Sequence, residues 1–225
     1  MEEQLRAQAS LAGLGEMAAV IAHEVKNPLA GIRGAIQVIG SRLPSESRDA
    51  TVLQEIIARV DGLNELVNDL LLFARPPKPR PERVDLAALV RRTAALVAAD
   101  PAVAGVGIDV HGDAPPVMAD RALVEIVVAN LLMNGAQAMQ GRGVLDVEVR
   151  QVDGFCAMTF HDHGPGIAPE LRDKVFTPFF TTKSSGTGLG LPTSKRLIEA
   201  HGGLIDIACP SEGGTTVTVR LPPLD

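Results

Sequence analysis

Arg75-Pro76-Pro77-Lys78-Pro79-Arg80-Pro81 divides this chain. Four prolines in seven residues remove backbone donors and fix φ, so no helix runs through the stretch. It reads as an extended, semi-stiff spacer. Upstream of it, apolar residues recur at steps of three and four. Downstream, that period mixes with two-residue alternation. The expectation is an α+β protein of two domains: a helical domain over residues 1–75, a linker over 76–83 and a mixed domain over 84–225.

Upstream, one helix is expected from about residue 5 to 43. Leu14, Ala18, Ile21, Val25, Pro28, Ile32, Ala35, Ile39 and Leu43 mark its apolar line, at the spacing of a coiled-coil seam. Pro44 and the serines after it read as a turn. A second helix is expected from about Arg48 to Ala74, with Leu53, Ile56, Val60, Leu63, Val67, Leu70 and Ala74 as its line. Two such helices make an antiparallel hairpin. One hairpin buries little, so two are expected to pair as a four-helix bundle in a homodimer. The alternative is that both stripes pack on the second domain.

His23 falls off the first seam. Glu24 beside it can hold or accept a ring proton. Asn27 lies at i+4, on the same face as the imidazole. Pro28 lacks an N–H, which frees the Glu24 carbonyl and should loosen the helix. This is a candidate reactive site whose reaction the three residues do not name.

Composition narrows the choices. The 225 residues are 46% apolar, enough for a core, but only 3% aromatic, with no Trp or Tyr. That is too little stacking surface for a single-strand nucleic-acid binder. A net charge of −6 argues against nucleic acid or an anionic membrane as the main partner. Cys156 and Cys209 stand in separate strand-like runs, without zinc-ligand spacing, and read as reduced core residues of a cytoplasmic protein. No apolar run approaches the roughly 20 residues of a membrane span. The opening Glu2-Glu3-Gln4-Leu5-Arg6 has helical character. It suits either the downstream part of something longer or a protein whose sensory input is separate.

Downstream, helices are expected from Leu86 to about Ala99, Arg121 to Met139 (with Asp120 as N-cap) and Pro192 to Ala200. Strands are expected at 106–111, 117–119, 144–151, 155–161, 204–209 and 215–221, the middle pair joined through Val152-Asp153-Gly154. Helices on one face of a mixed sheet make an α/β sandwich.

Four segments here converge on a nucleotide. In Asn130-Leu131-Leu132-Met133-Asn134-Gly135-Ala136-Gln137-Ala138, the two asparagines share a helix face. They are either satisfied core amides or ligands, an amide oxygen being suited to Mg²⁺. In Asp162-His163-Gly164-Pro165-Gly166-Ile167, Gly164 and Gly166 permit close backbone approach. The Asp162 carboxylate can accept from the exocyclic amine of adenine and would reject the guanine carbonyl. Phe176-Thr177-Pro178-Phe179-Phe180-Thr181-Thr182-Lys183 reads as a lid whose Lys183 reaches phosphate. Gly186-Thr187-Gly188-Leu189-Gly190-Leu191-Pro192 precedes a helix and can cradle phosphate. It lacks the Lys-Ser/Thr of a P-loop and opens no βαβ unit, so the Walker and Rossmann readings fail.

Together these motifs resemble the transmitter module of bacterial sensor histidine kinases. The His23–Leu29 stretch is similar to that family's H box, 130–138 to its N box, 162–167 to G1, 176–180 to the F box and 186–191 to G2. The closing Gly213-Gly214-Thr215 also fits. The His-Glu-x-x-Asn-Pro form and the Pro-Phe-Phe-Thr-Thr-Lys lid look most like the nitrogen-regulation branch. His163, where that branch often has Asn, and Pro192, where it often has Ala, depart from the pattern. The resemblance implies a second domain of the Bergerat ATP-binding type, with Asn130 where hydrolysing relatives carry a water-activating glutamate. It implies catalysis by His23, Glu24 and Asn27, and ATP held by Asn130, Asn134, Asp162, Gly164, Gly166, Lys183, Gly186, Thr187, Gly188, Leu189, Gly190 and Thr215, with Mg²⁺ on Asn134. His23 is then phosphorylated from ATP and passes the group to an aspartate of a response regulator, and Asn27 supports dephosphorylation of that regulator. Two other readings stay open: a nucleotide-gated ATPase that never phosphorylates His23, and a silent dimeric scaffold.

Overall fold

The computed structural model describes residues 22, 24–44, 47–183, 186–211 and 213–224. His23 and the seam positions Leu14, Ala18 and Ile21 lie outside the described residues. The chain divides into two compact units, Met1–Pro77 and Lys78–Asp225.

In the first unit, α1 spans residues 24–40 and continues through Pro28. It ends earlier than the expected residue 43, because the amides of Arg42 and Leu43 bond back only three residues, to Ile39 and Gly40. Helix α2 spans Arg48–Ala74, and its N-cap Ser47 accepts from the Ala50 amide, satisfying a donor the helix leaves open. Two contacts fix the hairpin as antiparallel. Arg33 Nε lies 2.8 Å from Asp61 Oδ1, and a Cβ on Gly40 would touch Leu53. The inner line of α1 therefore runs through Arg33 and Gly40. By helical steps of four and three it also takes in Leu29, Ile36 and Leu43.

This corrects the seam read from sequence. The expected line through Ile32 and Ile39 lies one residue to the side and is exposed, as are Ile56 and Leu63 of α2. Leu29 and Val60 are buried. Both adjacent lines of α1 carry apolar residues, so periodicity alone could not choose. The inner line was disguised by Arg33 and Gly40.

The second unit opens with β1 (Glu82–Val84), a strand the proline-rich reading missed, which pairs antiparallel with β3 (Val117–Ala119). Asp85 caps α3 (Leu86–Ala98) by accepting from Ala88. Asp120 caps α4 (Arg121–Ala138) by accepting from Ala122 and Leu123. Asp120 also accepts from the Arg80 amide. That bond, more than any other, holds its carboxyl below the usual carboxylate range. The Asp120 amide donates to His201 Nε2, while His201 Nδ1 faces the Leu197 carbonyl. The two partners fix the neutral Nδ1–H tautomer.

The main sheet has the order β2-β4-β5-β7-β6, formed by Val106–Gly112, Gly143–Val152, Phe155–Asp162, Thr215–Leu221 and Leu204–Ala208. Only β2 and β4 are parallel. The β4–β5 hairpin turns at Asp153 and Gly154, both at positive φ, as a two-residue Asp-Gly turn requires. Along β4, Leu145, Val147 and Val149 are buried while Glu148 and Arg150 are exposed. One face of the sheet is thus covered, by α3, α4 and α5 (Gly190–Ala200), and among the described residues no helix packs on the other. Cys156 is buried and burial pushes its thiol up. Cys209, expected in the core, follows β6 and is half-exposed.

Candidate nucleotide site

Asp162 ends β5 on the helix-covered side of the sheet. The alternation that buries Met158 and Phe160 carries on to it, leaving it 5% exposed. Its Oδ1 accepts from the Gly164 amide at 2.9 Å and the Thr215 amide at 3.2 Å. Both bonds fall on one oxygen. Among the described residues Oδ2 accepts none, and is left for a donor from outside.

Glycines build the walls around this carboxylate. A Cβ on Gly135 of α4 would strike Leu145 and come within 3.6 Å of Asp162 Cβ. Gly166 and Gly214 both hold positive φ, and the Gly214 amide donates to the Gly164 carbonyl. Gly164 thus lies between Ala138 and the loop that leads into Thr215.

A polar chain runs along α4 beside it. Ser194 Oγ accepts from Asn130 Nδ2 at 2.7 Å, and Asn130 Oδ1 from Asn134 Nδ2 at 3.2 Å. Asn134 Oδ1 and Gln137 Oε1 accept from Lys183 Nζ at 3.0 and 2.8 Å. Burial holds the Lys183 ammonium below its ordinary value, and the Asp162 charge opposes that shift. Helix α5 begins tight against this chain, since a Cβ on Gly190 would overlap the Asn130 amide. Among the described residues no side chain caps its N-terminus, which leaves its first amides as open donors. The loop before it is tied by Leu189 N to Thr187 Oγ1 and by Phe179 N to the Gly188 carbonyl. Gly186 packs against Thr181.

The structure thus brings Asn130, Asn134, Lys183 and Gly190 into one cluster, and Asp162, Gly164, Gly166 and Thr215 into another, with Gly135 between them. Glu24 and Asn27 are exposed on α1 of the other unit. Sequence reading missed Gln137, Ser194 and the wall residue Gly135. The first was legible as the i+3 neighbour of Asn134, and Ser194 as the i+4 neighbour of Gly190. The donor set suits Mg²⁺. Asn134 presents a neutral amide oxygen, a hard ligand, and that oxygen already holds a cationic group.

Residues 119–225 match the family described as histidine kinase-, DNA gyrase B- and HSP90-like ATPase, and residues 14–78 match the His Kinase A (phospho-acceptor) domain. The signal transduction histidine-protein kinase AtoS of Escherichia coli (strain K12) is 40% identical over 215 residues, covering 94% of this chain and 35% of that protein. The sensor histidine kinase ZraS of the same strain is 32% identical over 224 residues, 99% of this chain and 48% of that one. Among solved structures, full-length ShkA in complex with AMPPNP superimposes with a TM-score of 0.79 at 26% identity, over 92% of this chain and 45% of that one. The mycobacterial sensor histidine kinase MprB gives 0.56 at 30% identity, over 64% of this chain and all of that one. The chain spans about a third to a half of the length of the curated relatives it matches.

Proposed function

Because the chain belongs to the sensor histidine kinase family, we propose that it phosphorylates His23 from ATP and passes the phosphoryl group to an aspartate of a response regulator. The observation that carries this is the division of labour between the two ends of the site. One end of the site offers an anchored carboxylate with a vacant oxygen, Asp162. The other offers amides and a cation, Asn134 and Lys183. A nucleotide needs both kinds of group, for base and for phosphates.

In this reading Asp162 Oδ2 accepts from the adenine amine, and the α5 N-terminus with the 186–190 loop donates to phosphate. Lys183 moves from Asn134 to the phosphates. Asn134 would hold Mg²⁺, which would neutralise charge at the transferred group. Asn130 cannot take a proton from water, which favours transfer over hydrolysis. His23 attacks the γ-phosphorus of ATP through a ring nitrogen and displaces ADP, while Glu24 holds or accepts the other ring proton. Asn27 orients water toward the regulator's acyl phosphate, giving a phosphatase activity. In this assignment residues 1–75 are the dimerisation and phosphotransfer hairpin, 76–83 the linker and 84–225 the catalytic domain, acting in the cytoplasm. The exposed Ile32, Ile39, Ile56 and Leu63 support a homodimer through that hairpin. The H-box wording and the Thr-Thr-Lys lid favour the nitrogen-regulation branch. Incubation with labelled ATP tests the assignment. Wild type should acquire acid-labile label that His23→Ala lacks. Label that survives acid, or persists in His23→Ala, sinks it.

A further inference from the structure

We infer that the open face of the sheet carries a binding site for a borderline divalent transition cation, with Zn²⁺ as the chemical type. Sheet register brings its residues together. Asp109 on β2 is opposite Asp146 on β4, which is opposite His161 on β5. His111 lies two residues beyond Asp109 on β2 and so shares that face, and His163, just past the end of β5, reaches it through Asp146. Three of the chain's five histidines therefore stand on one patch of sheet.

The side chains converge. One ligand atom each from Asp109, His111 and Asp146 lie within 4.8 Å of one another. His111 Nδ1 is 3.5 Å from Asp109 Oδ1. His163 Nε2 is 2.8 Å from Asp146 Oδ2, and its ring stands edge-on to His161 at 4.6 Å. His161 is itself held by Thr216. Asp109 and Asp146 are like charges side by side, an arrangement that costs stability in a sheet. Among the described residues their ion-pair partners are histidines alone. A divalent ion between them would remove the repulsion.

The donors decide the ion. Two carboxylates and an imidazole, without thiolate, suit Zn²⁺ and its neighbours. Mg²⁺ and Ca²⁺ prefer oxygen alone. Asp109, His111 and Asp146 are the ligands, and His163 orients Asp146 through its second oxygen. The site is independent of the nucleotide reading, since it lies on the opposite face of the sheet from α4.

Calorimetric titration of the metal-free full chain with Zn²⁺ tests this. One ion should bind per chain, and excess Mg²⁺ should not displace it. His111→Ala and Asp146→Asn should each lower the affinity at least about tenfold, and His163→Ala by about tenfold. Both ligand positions are solvent-accessible, so the variants should fold, as circular dichroism would check. On the wild-type chain, Co²⁺ should shift the ring proton resonances of His111 and His163. Equal Zn²⁺ affinity in wild type and both ligand variants, or Co²⁺ shifts confined to other histidines, would overturn the site.

Discussion

Lys183 Nζ stands 3.0 Å from Asn134 Oδ1, on the oxygen that Mg²⁺ would use. If Asn134 holds Mg²⁺ there, as proposed, Lys183 has to leave that oxygen first. Lys183→Met should weaken Mg²⁺-ATP binding about tenfold, the worth of roughly one charge-assisted hydrogen bond; calorimetry reads this. A pH signature accompanies it. Burial lowers the folded value below 10.5, so between the two values the unfolded chain binds more protons and stability rises with pH. Thermal melts across that alkaline interval should show the rise in wild type and a smaller one in Lys183→Met.

Asn134→Ala should abolish Mg²⁺-dependent autophosphorylation and leave the fold intact. Its amide also donates to Asn130, so circular dichroism and activity are measured on the same sample. Loss of structure alongside activity would assign the amide pair to the core.

Asp162→Asn separates anchoring from recognition. An asparagine oxygen can still accept from Gly164 and Thr215, so the loop should hold. Its amide nitrogen then replaces the vacant acceptor. ATP affinity should fall about 10- to 100-fold, roughly 1.5–3 kcal/mol, with less discrimination against GTP. Unchanged affinity would remove the adenine assignment.

Gly214→Ala attacks the same carboxylate through the backbone. The residue holds φ +76°, and a Cβ there would overlap the Asp162 carbonyl. The cost should be roughly 2–4 kcal/mol, read as a lowered melting temperature of the second domain together with weakened nucleotide binding. An unchanged melting temperature would show that the loop can open without loss.

Asn27→Ala should keep most autophosphorylation and lose most phosphatase activity toward a phosphorylated regulator. An amide does not titrate but can orient water. Paired assays decide: equal loss of both would make Asn27 a residue that shapes the helix around Pro28, and retention of both would leave it without a role in the reaction.

Much of this was legible in the chain. The caps at Asp85 and Asp120, the Asp153-Gly154 turn and the alternation of β4 and β5 are local signals, and local chemistry determines them. The asparagine pair on α4 and the carboxylate at the end of β5 were legible for the same reason. What sequence could not supply were partners distant in the chain. Ser194 meets Asn130 across 64 positions, and Lys183 meets Asn134 across 49. Such contacts depend on how α4, α5 and the lid pack. The α1 seam was misplaced by one residue because two neighbouring apolar lines compete there. β1 was hidden because its three residues follow prolines and pair only with β3.

The bond from the Thr215 amide to Asp162 spans 53 positions and joins β5 to β7, with a consequence for synthesis. The helical hairpin, whose contacts are local, can form while the ribosome is still making the second domain. The Asp162 carboxylate cannot be anchored by Thr215 until β7 has emerged and paired. A chain released early, before residue 215, would carry the hairpin and its exposed apolar line but no assembled ATP pocket. It could still associate with complete copies and occupy a place beside them without contributing a phosphoryl donor.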